Sequence, residues 1–347
     1  MSSKKRVTIN DVAMAAGVSK TTVSRYINGH PELMSEKTRE RIRTVIEMTN
    51  YHPSDIASNL KKRTTNLIGL LIADISSPFS SALINGASKF LDKRGYTLLI
   101  ADSADDLEKE KHALSSLLSK GVSGVLVNTT SYSNNFLIQV RCGGLPVVLC
   151  DRQVRDYNFD IVTTDQHEAM FHLLNHLKQQ GYTRPLFLVE PWENNSVRMK
   201  RREAFLEIIH TLYGYDASED VYMLKPGGES AVQVLQRALG RNNLGIPAVI
   251  GCNSITTVRA FHAIQELGLS IPEEIGLCGP EDWDWSNEMN WPFIIAPNIT
   301  TVKIPATQIG SRAAALLLEK LEGPECPPKE ILLPCVFYER ASTIRMR

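Results

Sequence analysis

The 347-residue chain has no pair of cysteines at C-x-x-C spacing, no G-x-x-x-x-G-K-[ST] loop, no G-x-S-x-G elbow and no H-E-x-x-H helix. These absences remove the sequence signs of a dithiol redox centre, a P-loop nucleotidase, an α/β-hydrolase and a zinc protease. Its cysteines, Cys142, Cys150, Cys252, Cys278, Cys326 and Cys335, are scattered through apolar runs and read as buried thiols of a reducing compartment. No apolar run approaches the length that crosses a bilayer, and the opening MSSKKR carries no signal-peptide core, so a cytoplasmic protein is expected. His172 and His176 stand four apart after Glu168, yet no third ligand follows at suitable spacing. An ordinary helix surface, with neither metal nor cofactor, is the expectation there.

Net charge is lacking too, since 38 Lys and Arg balance 38 Asp and Glu, but the balance is not local. Residues 1–63 hold 12 basic against 6 acidic side chains, and the remainder 26 against 32. A basic head on an acidic body suits a nucleic-acid-reading domain whose body avoids polyanions. The length fits a small domain plus a large bilobed unit.

The head begins with TINDVAMAAGVSKTTVSRYIN. Thr8 is placed to cap a first helix, and Ile9, Val12, Ala13 and Ala16 repeat at helical spacing. Gly17 permits the left-handed turn that ends it, and Ser19 is placed to cap a second helix. On that second helix Val23 and Ile27 face inward, while Lys20, Thr21, Ser24 and Arg25 share the polar face. Ala13, Ala16 and Gly17 leave room for the two helices to cross closely. This is a helix-turn-helix, a geometry that reads DNA but also occurs as plain packing. Ser35 and Thr38 open a third helix, with Ile42, Val45 and Ile46 as its apolar stripe. In HPSDIASNL, Pro53 fits a first helical position, giving at most two turns through Leu60, too short to be stable alone.

From Leu67 the pattern changes to alternating strands and helices. LIGLLIAD, TLLIAD, GVLVN and PVVLC are strands, with helices after Pro78 and over 107–118. A second run starts near Ile161, with helices over 165–180, 200–212, 230–239 and 257–267 between the strands PLFLVE, AVIGCN and IGLCG. Such alternation predicts parallel sheets with right-handed crossovers, here two sheets and hence two α/β lobes. After NITTVKIPATQIGSRAAALLLEKLEG, which gives a strand and a helix, ILLPCVFYER returns as strand. The chain is expected to pass between lobes more than once.

This order of parts resembles the lactose-repressor (LacI/GalR) family of bacterial transcription regulators over essentially the whole chain. The resemblance is carried by TINDVAMAAGVSKTTVSRYING, SEKTRERI, NYHPSDIASNL, NLIGLLIADISSPF, GVSGVLVN, LCDR and PNITTVKIPATQIGSRAAALLLEKLEG. It implies a helix-turn-helix DNA-binding domain over 1–52, a hinge helix and linker over 53–65, and a periplasmic-binding-protein-like (type I) α/β core over 66–347 that binds an effector and dimerises. Lys20, Thr21 and Arg25 align with positions that enter the major groove, where arginine suits guanine O6 and N7. Ser19, Ser24, Thr8 and Asn28 are candidates for phosphate contacts. Leu60 matches the hinge wedge that opens a base step in the minor groove, with Lys61 adding charge beside it. A near-palindromic operator read by a homodimer follows, and the lack of a leucine heptad after Arg345 speaks against a tetramer.

The resemblance also implies a ligand in the interlobe cleft, at the carboxyl ends of the strands. The matching positions are Ser76, Pro78 and Phe79 after the first strand, Asn128 after GVLV, and Asp151 in LCDR. In the second lobe they are Arg201, Asn253 and Glu281, with Trp283 as a stacking surface. Two departures bear on the ligand: Asn253-Ser254 stands where the family has Asn-Asp, and Gly279-Pro280-Glu281-Asp282 where it has Gly-aromatic-Asp-Asp. With one acid lost, and Arg201 flanked by Arg198, Lys200 and Arg202, a sugar acid such as 2-keto-3-deoxygluconate or a hexuronate is expected over a neutral sugar. The expected function is repression of carbohydrate catabolic genes under effector control, not enzymatic catalysis. The alternatives are a neutral sugar or a protein corepressor as the signal, or a sugar-binding protein without a DNA role.

Overall fold

Gly17, with φ at +62°, turns the chain between its first two helices at a place where a side chain would be strained. The computed structural model describes residues 9–27, 34–49, 65–240, 245–283, 290–323 and 326–345, which divide into two units, 1–64 and 65–347. In the first unit, α1 (Ile9–Ala16), α2 (Lys20–Ile27) and α3 (Glu36–Thr49) enclose a small core. Val12, Val23 and Ile42 are fully buried there, each contributing about 1.5–3 kcal/mol, and Ala13 and Ala16 keep the helices close. Ser19 caps α2 by accepting the Thr22 N–H (3.1 Å), and Ser35 caps α3 by accepting the Thr38 N–H (3.3 Å). Thr8, Asn28 and the hinge segment with Leu60 and Lys61 lie outside the described residues, as does the side chain of Ser24.

The second unit runs β1 (Leu67–Ile72), α4 (Pro78–Asp92), β2 (Thr97–Asp102), α5 (Leu107–Ser119), β3 (Gly124–Val127), α6 (Asn135–Cys142), β4 (Val147–Cys150) and β5 (Asp160–Thr164). It continues with α7 (Gln166–Gln179), β6 (Arg184–Val189), α8 (Ser196–Ile208), β7 (Val221–Met223), α9 (Ala231–Leu239), β8 (Pro247–Gly251), α10 (Ser254–Glu266) and β9 (Gly276–Pro280). Last come α11 (Trp291–Ile294), β10 (Thr300–Lys303), α12 (Ala306–Glu322), β11 (Glu330–Leu333) and β12 (Val336–Tyr338). Two six-stranded sheets result, ordered β11-β5-β4-β3-β1-β2 and β12-β10-β9-β8-β6-β7. Every neighbouring pair is parallel except β10 and β12. Parallel strands covered on both faces need continuous apolar runs, and Ile68, Leu70, Leu71 and Ile72 of β1 are accordingly all fully buried.

The chain passes between the lobes after β5, after β10 and after β11, as the strand orders require. The second crossing delivers α12 onto α4, where the two helix backbones nearly touch. A Cβ on Gly86 would lie 1.9 Å from the Thr307 carbonyl oxygen, and one on Gly310 would lie 2.1 Å from that of Leu83. Only glycine permits this approach.

Several boundaries depart from the sequence expectation. Helix α8 begins four residues before Lys200 because Asn195 caps it, accepting the Val197 and Arg198 N–H groups at 3.1 Å. Helix α10 begins at Ser254 rather than Thr257 because Asn253 caps it in the same way. The short elements α6 and β7 had not been anticipated. The cysteines also divide: Cys150, Cys252 and Cys278 are buried, but Cys142 is exposed at the end of α6, and Cys326 and Cys335 are half-buried. Burial pushes the Cys252 thiol up to about 12 and the Cys335 thiol up to about 11, so neither is a ready nucleophile. No described helix is long and apolar enough to cross a membrane.

Candidate functional sites: a polar helix face and a charged cleft

On α2, Lys20, Thr21 and Arg25 are exposed, while Val23 is buried beneath them, so one face is given to packing and the other to solvent. Ser19 is exposed but its hydroxyl is already engaged, capping the helix and sharing a hydrogen bond of 2.8 Å with the Thr22 hydroxyl. It orients the helix start from which Lys20 and Thr21 project.

In the second unit the carboxyl ends of both sheets converge on one cleft. The first lobe lines it with Asp74, Ser77, Phe79 and Ser80 after β1, Asp105 after β2, Asn128 after β3, and Asp151 and Arg152 after β4. The second lobe adds Glu190, Asn195, Val197, Arg198 and Arg201 from β6 and α8, Asn253 and Ile255 after β8, and Glu281 after β9. The lobes also touch each other directly. Tyr132 N–H donates to the Asn194 carbonyl and Gln153 N–H to the Ser196 hydroxyl, each at 2.8 Å. The Phe79 and Trp283 rings, one from each lobe, meet edge-on with centroids 6.0 Å apart.

Arg201 is the buried cation of the cleft, 3% exposed. Its Nε donates to Gln166 Oε1 (2.7 Å), and its Nη1 donates to the Cys252 carbonyl (2.6 Å) and to Glu281 Oε1 (3.1 Å). Its Nη2 has no hydrogen-bond partner among the described residues. The other Glu281 oxygen accepts from the Ser254 N–H and hydroxyl, both at 3.1 Å. Burial raises the Glu281 pKa while Arg201 opposes the rise. Glu281 holds φ at +81°, a left-handed conformation that aims its side chain at the arginine.

The expectation of an arginine cluster free to meet an anion needs correction. Arg198 pairs with Glu190 at 3.2 Å and Arg152 with Asp105 at 3.1 Å, so each of the three cleft arginines has an acidic partner. Lys200 is exposed and does not line the cavity, and Arg202 lies over the Trp192 ring at 4.9 Å. Asp151 keeps acceptor capacity: it is 7% exposed, and its one side-chain hydrogen bond among the described residues comes from the Thr163 hydroxyl at 3.5 Å. Burial raises its pKa, with Arg201 and Arg152 opposing.

Of the residues read from the sequence, Phe79, Asn128, Asp151, Arg201, Asn253 and Glu281 line this cavity. Asn128 donates its amide to the Cys150 carbonyl (2.8 Å), which leaves its side-chain oxygen as an acceptor. Asn253 is committed, because its oxygen caps α10 and its amide donates to Glu190 Oε2 at 2.7 Å. Ser76 lies outside the lining and donates its hydroxyl to Asp74 Oδ1 at 2.7 Å. Pro78 and Trp283 line an adjoining apolar hollow with Ile255, Val258 and Trp291. The Trp283 ring is 4% exposed and donates its Nε1–H to the Ser254 hydroxyl (2.9 Å), so it buttresses the cleft wall. Sequence reasoning missed Asp74, Asp105, Arg152 and Glu190. A signal was present for each, since all four fall within three residues of the end of an apolar strand.

His176 is buried, sharing a hydrogen bond of 2.7 Å with the Thr343 hydroxyl, and His172 stacks on Phe337. No cluster of three potential metal ligands occurs among the described residues.

Comparison with known proteins gives the following. The model described as bacterial regulatory proteins, lacI family, matches residues 8–54, and a periplasmic binding protein-like domain matches residues 174–343. The HTH-type transcriptional regulator PtxS of Pseudomonas aeruginosa is 34% identical over 98% of this chain and 97% of its own length. The HTH-type transcriptional regulator KdgR of Bacillus subtilis is 30% identical over 96% and 97%. Among solved structures, a lac repressor dimer bound to operator and the anti-inducer ONPF has a similar fold. It gives a TM-score of 0.68 at 23% identity, over 98% of this chain and 100% of that one. The transcriptional regulator CelR–cellobiose complex gives 0.67 at 23% identity, over 97% and 100%.

Proposed function

This chain belongs to the lacI family of bacterial regulatory proteins and is a DNA-binding transcriptional regulator, and on that premise we propose how its parts divide the work. Residues 1–52 form the reader, 53–65 the hinge with Leu60 as its wedge, and 66–347 the effector-binding and dimerising core. A cytoplasmic homodimer represses transcription from a near-palindromic operator. Arg25 and Lys20 reach base edges with Thr21, while Thr8, Ser19, Ser24, Asn28 and Lys61 hold phosphates.

The effector occupies the interlobe cleft and is a polyhydroxy acid of sugar size. The single observation that carries this reading is Arg201, buried at the cleft with no hydrogen-bond partner for Nη2 among the described residues, near an Asp151 carboxylate that accepts only a long bond from Thr163 and an Asn128 whose amide alone is engaged. A ligand carboxylate would meet the guanidinium, and ligand hydroxyls would donate to the aspartate and the asparagine. Binding favours one closure of the lobes and so changes operator affinity; we take the sign to be induction.

A neutral sugar is the second reading, and the observation that favours it is the acidic partner already held by each cleft arginine. Calorimetric titration of the purified protein with sugar acids, 2-keto-3-deoxygluconate and hexuronates among them, and with the corresponding neutral sugars separates the two. The first reading expects heat only from acids. Tight binding confined to neutral sugars overturns it.

A further inference from the structure

The loop from Asn128 to Asn134, between β3 and α6, touches both the cleft and the opposite lobe. Asn128 lines the cavity. The Thr129 carbonyl accepts from Arg152 Nη1 at 3.1 Å, and the Tyr132 N–H crosses to the Asn194 carbonyl. The inside of this loop is organised around one side chain from another element, Glu110 of α5.

Glu110 is 1% exposed, and among the described residues no cation pairs with it. Four donors converge on its two oxygens. Oε1 accepts from the Thr129 hydroxyl (2.8 Å) and the Asn134 amide (2.5 Å), and Oε2 accepts from the Thr130 N–H and hydroxyl, both at 2.6 Å. Thr129, Thr130 and Asn134 are themselves 1%, 9% and 3% exposed, so water cannot replace these bonds without opening the loop. Asn134 is held in one orientation, because its oxygen caps α6 by accepting the Leu137 N–H at 3.0 Å.

We infer that Glu110 is a positioning residue for ligand recognition: its carboxylate fixes the 128–134 loop, and through that loop sets both the Asn128 and Arg152 contacts of the cleft and the Tyr132–Asn194 bond between lobes. The inference rests on the cleft being the effector site, but the anchor itself is testable without an effector.

The donor pattern supplies the test. Glu110→Gln replaces one acceptor with an NH2 group, which must face either Thr130 N–H or the Asn134 amide, donor against donor, because Asn134 cannot turn without losing its cap. Asn134→Asp sets two carboxylates face to face. The double variant repairs both faults: the new amide donates to the new carboxylate, its oxygen keeps the Thr130 donors, and the second carboxylate oxygen keeps the cap on Leu137. Hydrogen exchange of the full-length protein should show the Thr130, Tyr132 and Leu137 amides exchanging about tenfold faster or more in each single variant. In the double variant they should return to within about threefold of wild type. Affinity for any sugar acid that the wild-type protein binds should fall and recover in parallel. Wild-type exchange in Glu110→Gln, or a double variant no better than the singles, overturns the inference. Equal acceleration of amides in β6 and β8 of the other lobe would also overturn it, since that marks general destabilisation. If the wild-type protein binds no sugar acid, the effector reading above fails, and the exchange cycle still decides the anchor.

Discussion

At the scale of the residue, the cleft is held by ion pairs more than by free charges. Arg201 is buried and Glu281 mostly so, at 3% and 13% side-chain exposure, and they are bonded to each other, so removing one leaves the other as a poorly compensated charge. Arg201→Met should lower stability by about 3–5 kcal/mol in urea unfolding, and adding Glu281→Gln to it should recover a large part. A cost near zero for Arg201→Met would mean that Glu281 takes up a proton or reaches solvent without penalty. Arg201 and Glu281 were both legible in the sequence as cleft residues, but their pairing and the bond to Gln166 were not. Gln166 and Glu281 lie 35 and 80 positions away in the chain, and no local pattern joins them. Asn253 shows the opposite difficulty: an asparagine between a strand and a helix can serve a ligand or a cap, and here the cap claims it. The acids opposite Arg152 and Arg198, Asp105 and Glu190, were not read as cleft residues, and with them the charge balance of the site was missed.

At the scale of the element, apolar runs located the strands well, because a parallel strand covered on both faces has little room for polar residues. Caps moved the helix starts. The periodicity of α8 is weak before Lys200, and only Asn195 marks where the helix begins. Strand β7 has three residues at a sheet edge, too few to show a period. The contact of α4 with α12 was invisible in sequence, since GAS and GSR say nothing of which backbone passes overhead. It makes a sharp prediction: Gly310→Ala sets a methyl group 2.1 Å from the Leu83 carbonyl oxygen, with no flexible side chain to yield. The substitution should cost about 1–3 kcal/mol or more in denaturant unfolding. In an open helix the same change would stabilise, so a gain in stability would contradict the packing described here.

At the scale of the whole molecule, the order of parts and the motifs of head, hinge and core carried the family resemblance, and the comparisons bear it out. A head that reads DNA and a cleft that tunes that reading must show in one binding curve. Fluorescence anisotropy tests both at once, with the full-length protein titrated onto near-palindromic duplexes selected from bound genomic fragments. The titration is run at several salt concentrations, with and without a sugar acid that gives heat in calorimetry. A saturable complex should form that weakens steeply with salt, as phosphate contacts require, and the ligand should lower operator affinity at least about tenfold. No complex with any selected duplex at modest ionic strength, or an affinity that ignores a bound ligand, would contradict this coupling of cleft to head.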